Sequence, residues 1–397
     1  MFPAYSSAQA AAAQLTAAAQ LAYHDIHRMP NAAAYLPAIQ AVQGWVPALP
    51  ARDHDDGAVL GTEVVTKGAP VDAWDSEARA RAAAAAVKGA VQRSASQRAQ
   101  FTRQAGSAWH RFYRNNRDKF FKDRHYLWRD WPCLAVATWS PTTLLEFGTG
   151  VGNAVLPAVA RLPALRVWAY DCARSGIDIL RQRAIDNGVA DRVTAFVYNP
   201  SDEPVGAVPL EVSQHPDIQA AGGVDLVLML FMLSAVDPDH QHKSWAAAAA
   251  ALKPGGRLLF RDYARWDEAQ LRFGAKARLS DNLYVRGDGT MAYFFTEAEI
   301  AAAARAAGLV PLRVHRLCRE ITNRAEQSTA QRMFLHAEFW KPPPGAAAAA
   351  QSWAAAAQSQ AHQAGPRASK PLYTSPITAA LHSALMSGPT EPLMHIP

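Results

Sequence analysis

At 397 residues, half of them hydrophobic, the chain is long enough for one large domain or two modest ones with a substantial core. No apolar stretch approaches the roughly 18 uninterrupted residues of a membrane helix, and Cys133, Cys172 and Cys318 are spaced for neither a disulfide framework nor a zinc site, so no membrane, metal or secreted role is expected. Thirteen Lys/Arg stand against three Asp/Glu between Ser76 and Arg129, a local net of +10 in a chain of net +6; this is the footprint of a polyanionic partner or, more plainly, of a solvated helix face.

Residues 1–72 are rich in Ala, Gln, Pro and Ser and read as a disordered or leader segment. Acidic residues are nearly absent before Asp53, yet Arg28 and Arg52 are the only arginines there. The expected location is cytoplasmic, with the nucleus or organellar import through this segment left open. Residues 73–140 read as a basic helical extension: Asp75-Ser76-Glu77 can start a helix through Arg79–Val91, and a second helical segment includes Trp109–Asn115.

Residues 141–342 alternate. Strands are expected at Leu144–Phe147, Arg166–Tyr170, Arg192–Val197, Val224–Leu230, Arg257–Phe260, Val310–Leu317 and Arg332–Trp340. Helices are expected from Asn153, over Ser175–Asn187, up to Lys253-Pro254-Gly255-Gly256 and over Glu297–Ala307. This implies an α/β, Rossmann-like, doubly wound and mainly parallel sheet with a late antiparallel edge. Residues 343–397, biased to Ala, Pro, Ser and Gln, are expected to be a disordered tail.

Within that frame one turn carries chemistry. Glu146-Phe-Gly148-Thr-Gly150-Val-Gly152-Asn153 stops the first strand, and Asp171 closes the second. Glycines let the chain turn sharply and bring a ligand against bare backbone. A carboxylate about twenty residues on can accept from ribose hydroxyls. An acid before an early third glycine favours S-adenosylmethionine over a dinucleotide, against the plain alternative of a structural turn with a surface acid. The apolar strand Val224–Leu233 can flank an adenine with Leu230 and Phe231, or simply pack the core.

Further on, strand Leu258–Tyr263 ends in a charged pair, Arg261 and Asp262, expected on the same rim as the glycine turn. Arg265, Asp267, Gln270, Arg272 and Phe273 extend this cluster, with a salt-bridged loop anchor as the alternative. A Gly-Asp-Gly hairpin offers Tyr284 and Arg286 to a nucleotide or is only a stabilising hairpin. Before the turn, Trp109–Trp128 interleaves aromatics and cations, including Lys119, Phe120, Lys122, Arg124 and His125. That combination suits unstacked bases and phosphates, or packs a helix onto a core.

Six runs together resemble one family. Phe120-Phe-Lys-Asp-Arg-His125, Glu146–Asn153, Leu233-Ser-Ala235, Phe260-Arg-Asp-Tyr263, Ala269–Phe273 and Tyr284–Thr290 with Tyr293-Phe-Phe-Thr296 closely resemble the methyltransferase-like enzymes that make 3-methylcytidine in tRNA. The likeness spans about Trp74 to Pro342. It implies transfer of a methyl group from S-adenosylmethionine to cytosine N3 in a tRNA anticodon loop. It also implies cofactor contacts from Trp109, Tyr113, Gly148, Asp171 and Leu230, and an aminoacyl-tRNA synthetase or other helper protein as a partner. Thr149, Ala264 and Trp266 depart from the family's usual Cys, Gly and Tyr. So does Tyr198-Asn199-Pro200, where the family shows Cys-Asp-Leu and the Asp contacts adenine; Asn199 is expected to accept from that amine instead.

On this reading Asp262 holds the cytosine by its exocyclic amine, while Arg261 and Arg286 grip the RNA backbone. Two other readings are a methyltransferase for a protein or small molecule, and a catalytically silent RNA-binding subunit.

Overall fold

The computed structural model describes Arg81 and residues 93–138, 140–323 and 328–343. The expected helix Arg79–Val91, apart from Arg81, and both terminal segments lie outside the described residues.

Helix α1 (Ala95–Asn116) opens on a reciprocal cap: the Ser94 hydroxyl accepts from Gln97 N at 3.3 Å and Gln97 Oε1 accepts from Ser94 N at 3.0 Å. The helix therefore starts well before the aromatic segment that marks it in the sequence. A short helix α2 (Leu127–Asp130) and a 3-10 turn over Pro132–Thr138 lead into the sheet.

The next elements are β1 (Thr142–Phe147), α3 (Val155–Arg161), β2 (Leu165–Asp171), α4 (Arg174–Asp186) and β3 (Val193–Val197). After α5 (Leu210–Ser213) and α6 (Pro216–Ala221) come β4 (Val224–Leu230), α7 (Pro238–Ala251) and β5 (Leu252–Tyr263). Asp237 caps α7, accepting from Asp239 N at 3.0 Å, and Pro238 takes the first helical position, where its missing N–H costs nothing. Strand β5 begins earlier than expected. Lys253-Pro254-Gly255-Gly256 is taken into it, because Gly255 N donates to Lys341 O at 2.8 Å and so joins the run to the last strand.

Then follow α8 (Glu268–Leu271), the small strands β6 (Arg278–Ser280), β7 (Leu283–Val285) and β8 (Met291–Tyr293), α9 (Glu297–Ala306), β9 (Val310–Asn323) and β10 (Ser328–Trp340). The main sheet has the order β3-β2-β1-β4-β5-β10-β9. Its first five strands are parallel, and β10 runs antiparallel to both β5 and β9. A separate antiparallel sheet, β6-β7-β8, contains the expected hairpin.

Side chains alternate across the main sheet, and both faces are covered, which explains the unbroken apolar runs. Leu144, Val167, Leu226, Leu228 and Leu230 pack with α3 and α4; Leu145, Phe147, Val227, Met229 and Phe260 pack with α7 and α9. Strand order reverses between β1 and β4. A crevice opens at the carboxyl ends of strands at such a point, and that is where the glycine turn lies.

Candidate cofactor and RNA site

Gly148, Gly150 and Gly152 all have positive φ, at 66°, 58° and 84°, and they do different jobs. A Cβ on Gly148 would overlap the Met232 side chain on the neighbouring strand end; one on Gly150 would stand 2.6 Å from the Tyr113 hydroxyl. Gly152 makes room for Leu156 and Leu180 within the core. Only Gly148 of the three lines the cleft.

Glu146 is buried beneath the turn and accepts from the Thr149 hydroxyl at 2.6 Å. Burial raises its carboxyl to about 7, with the Thr149 hydrogen bond pulling the other way. It is a brace for the turn rather than part of the cleft wall. Asp171 ends β2 and does line the cleft. Its Oδ2 accepts from Gly150 N at 2.9 Å and its Oδ1 from Ala173 N at 2.8 Å. The Cys172 thiol also hydrogen-bonds this carboxylate, and the acceptor capacity left suits a ribose hydroxyl.

Helix α1 forms the facing wall. Thr102, Gly106, Trp109 and Tyr113 recur at helical spacing and all line the cleft. Trp109 stacks on Tyr113 with ring centroids 5.7 Å apart, and Tyr113 sits on the bare backbone of Gly150 and Gly176. The aromatic pair and the glycine turn are thus one packed unit.

The third wall comes from β3 and β4. Tyr198, Asn199, Pro200, Ser201 and Asp202 follow β3, and Phe231 and Met232 follow β4, around a cavity of about 250 Å3. Phe231 has a φ of 55°, a strained value for a ring-bearing residue that aims it away from the strand. Leu230 packs into the core below and does not line the cleft, so the apolar wall is Phe231 and Met232. The bare glycine backbone, the buried acid at a strand end and the aromatic pair together fit an adenosyl cofactor.

Arg261 and Asp262 do not share a rim. Adjacent residues of a strand face opposite sides, and the two separate accordingly. Asp262, with no exposed surface, accepts from Ser234 N and Tyr263 N, both at 2.9 Å. Burial raises its carboxyl to about 6, against the hydrogen bonds from Ser234. Arg261 turns to the other face, where Nη2 donates to Asp130 Oδ2 at 2.6 Å and approaches His336 Nδ1 at 2.6 Å. Its guanidinium lies over the rings of Tyr126 and Trp131. With 2% exposure it is an internal tie, with no surface to offer an RNA backbone.

Beside the cleft lies an aromatic cluster bordered by cations. Tyr263 contacts Phe231, Phe294 and Phe334 at centroid distances of 5.3, 5.7 and 6.2 Å. Arg286 and Arg332 each stand 5.7 Å over Tyr263, and Arg124 stands 5.0 Å over Phe231. Tyr284 joins through Phe294 and stacks on Phe273 at 4.8 Å. Arg124, Tyr284 and Arg286 therefore come together around Phe231 and Tyr263.

Other RNA candidates lie apart from that cluster. Lys119, Phe120, Lys122 and His125 are exposed, Arg265 covers Trp266, and exposed Arg272 pairs with Glu268. Asp267 is the loop anchor of the alternative reading. It is fully buried, caps α8 through Ala269 N and binds Arg332 Nε at 3.0 Å.

Residues absent from the sequence reading complete the cleft: Thr102, Arg103, Met232, Asp237 and His240. Only Thr102 carries a local signal, one helical turn before Gly106 and in phase with Trp109 and Tyr113. Asp237 reaches the cleft through pairings with Arg98 and Thr102, remote in sequence.

A family model described as a methyltransferase domain matches residues 111–314. The chain is 36% identical over 278 residues to the tRNA N(3)-methylcytidine methyltransferase Mettl2 of Drosophila melanogaster, covering 68% of this chain and 82% of that protein. It is 34% identical to the human tRNA N(3)-cytidine methyltransferase METTL6, over 60% of this chain and 81% of the relative. It is 33% identical to the tRNA N(3)-methylcytidine methyltransferase trm141 of Schizosaccharomyces pombe, over 61% and 94%. With its glycine-turn cleft on a doubly wound sheet, the chain belongs to the tRNA N(3)-cytidine methyltransferase family.

Proposed function

We propose that this chain transfers a methyl group from S-adenosylmethionine to N3 of a cytidine in the anticodon loop of a tRNA. The observation that carries the reading is the position of Phe231. It lines the cofactor cleft and also belongs to the cation-bordered cluster of Tyr263, so a base received at that cluster is next to the bound cofactor. When bound, the cofactor supplies an electrophilic methyl group on a sulfonium.

Cytosine N3 carries a lone pair in the neutral base, so no group need remove a proton before attack. The protein has two tasks: to hold the base in line, and to offset the positive charge that the ring acquires. Asp262 suits the second task. Its buried carboxylate is anchored beneath Ser234, whose neighbour Ala235 lines the cleft. With no exposed surface it acts on the ring's charge from beneath rather than by contact with the exocyclic amine, while Arg124 and Arg286 suit the adjoining phosphates. Exposed Lys119, Phe120, Lys122 and His125 offer phosphate and ring contacts without a base-specific code. Selection among tRNAs then falls to shape and to a helper such as an aminoacyl-tRNA synthetase.

Nucleoside analysis of tRNA incubated with the protein and labelled cofactor tests this reading. Label in 3-methylcytidine supports it, and label in another nucleoside, or none, defeats it. Asp262→Ala should abolish transfer with little loss of cofactor affinity; transfer that survives would remove Asp262 from the mechanism.

A further inference from the structure

The turn after β3 answers a question that the sequence leaves at Asn199. An adenine amine donates hydrogen bonds, so the protein must present an acceptor. Asn199 has one side-chain acceptor atom, uncharged and already engaged: Oδ1 accepts from Ser201 N at 3.2 Å, capping the 3-10 turn Pro200–Asp202, which leaves a single lone pair of a neutral oxygen. That fixes the amide. Its NH2 group donates to Asp202 Oδ2 at 2.8 Å, so the free edge of Asn199 presents a second donor to a ligand that also donates.

Asp202 supplies what Asn199 does not. It lines the same cleft as Asp171, Asn199 and Pro200, three residues further along the same turn. Its Oδ2 is held by Asn199, and its other carboxylate oxygen takes no hydrogen bond from any described residue. The turn itself is pinned to α7, because Lys243 Nζ donates to Ser201 O at 2.8 Å. The pairing also depends on an amide at 199. A carboxylate there would face Asp202 with like charge and no proton to share.

We infer that Asp202 is the acceptor for the exocyclic amine of the adenine, and that Asn199 is a positioning residue that orients it. The acid stands three residues along the turn from the amide that orients it. The inference rests on the reading of the cleft as an S-adenosylmethionine site.

Calorimetry separates the two. The full chain is titrated with S-adenosylhomocysteine and with its analogue whose purine carries a 6-oxo group in place of the amine. Wild-type protein should favour the amine, and Asp202→Asn should weaken S-adenosylhomocysteine about tenfold, the scale of one charge-assisted hydrogen bond, and narrow the preference over the oxo analogue. Asn199→Ala should weaken the amine ligand less than Asp202→Asn does. If Asp202→Asn leaves S-adenosylhomocysteine within twofold of wild type, or weakens both ligands equally, the assignment is wrong while the cofactor reading stands. If wild-type protein, folded by circular dichroism, binds neither ligand, both fall together.

Discussion

Arg98 near the start of α1 and Asp237 at the N-cap of α7 clasp the cofactor cleft from opposite sides, with Arg98 Nε donating to Asp237 Oδ2 at 3.0 Å. Thr102, one turn further along α1, donates to the same oxygen at 2.6 Å. At the other end of the same helix, Tyr113 rests on Gly150 and Gly176. The arm is thereby fastened at two points, and the cleft lies between them.

Arg98→Ala should loosen the first fastening by about 1 to 2 kcal/mol, since a hydrogen-bonded charged pair with one buried member is lost. We expect weaker binding of S-adenosylhomocysteine by calorimetry and a melting temperature lower by about 2 to 8 °C. Burial works to raise the Asp237 carboxyl, but the hydrogen bonds from Arg98 and Thr102 outweigh it and hold the group below its ordinary value. The clasp is therefore present above the ordinary carboxyl range and is lost as pH falls through the lowered value. An acid titration of cofactor affinity should show this loss in wild type and not in Asp237→Asn.

Glu146 sets the opposite pH trend in stability. Its carboxyl rises from an ordinary 4.5 to about 7 on burial. Between those values the unfolded chain has given up a proton that the folded chain keeps, so folding stability falls as pH rises through the window and levels off above it. Thermal melts across that range should show the slope, and Glu146→Gln should reduce it, most clearly between about 6 and 7, above the range of Asp262. An equal slope in the variant would assign the effect elsewhere.

Asp262 should govern the pH dependence of transfer. A counter-charge for a cationic ring must be ionised, and burial has raised this group to about 6. Turnover of tRNA at saturating cofactor should therefore climb with pH through about 6. Asp262→Asn, isosteric and uncharged, should lose most of the rate and the dependence together.

The Arg261 tie predicts a structural effect. Arg261 joins Asp130, from the segment before the sheet, to the strand that carries Asp262. Burial and the nearby guanidinium push His336 down to about 2, so the imidazole stays neutral and accepts from Arg261. Removing Arg261 leaves Asp130 with only the longer ion pair to Arg319 at 3.8 Å, and Arg261→Ala should cost about 2 to 3 kcal/mol in urea denaturation. Combining it with Asp130→Ala should cost less than the sum of the two single changes.

Periodicity and turn chemistry were enough to determine the doubly wound class, because strand alternation, both-face burial and glycine punctuation act over a few neighbouring residues. The same locality made Gly148 and Asp171 legible: each stands at the end of its own strand, and parallel strands present those ends on one side. Tertiary structure decided the rest. Asp237 meets Arg98 across 139 positions, and Arg261 meets Asp130 across 131. No local pattern marks either pair. The facing of Arg261 and Asp262 depends on strand alternation combined with which helices cover each side of the sheet. At Asn199 the residue type named a possible acceptor, but only the folded turn shows that Ser201 already engages that acceptor and that the amide donates to Asp202.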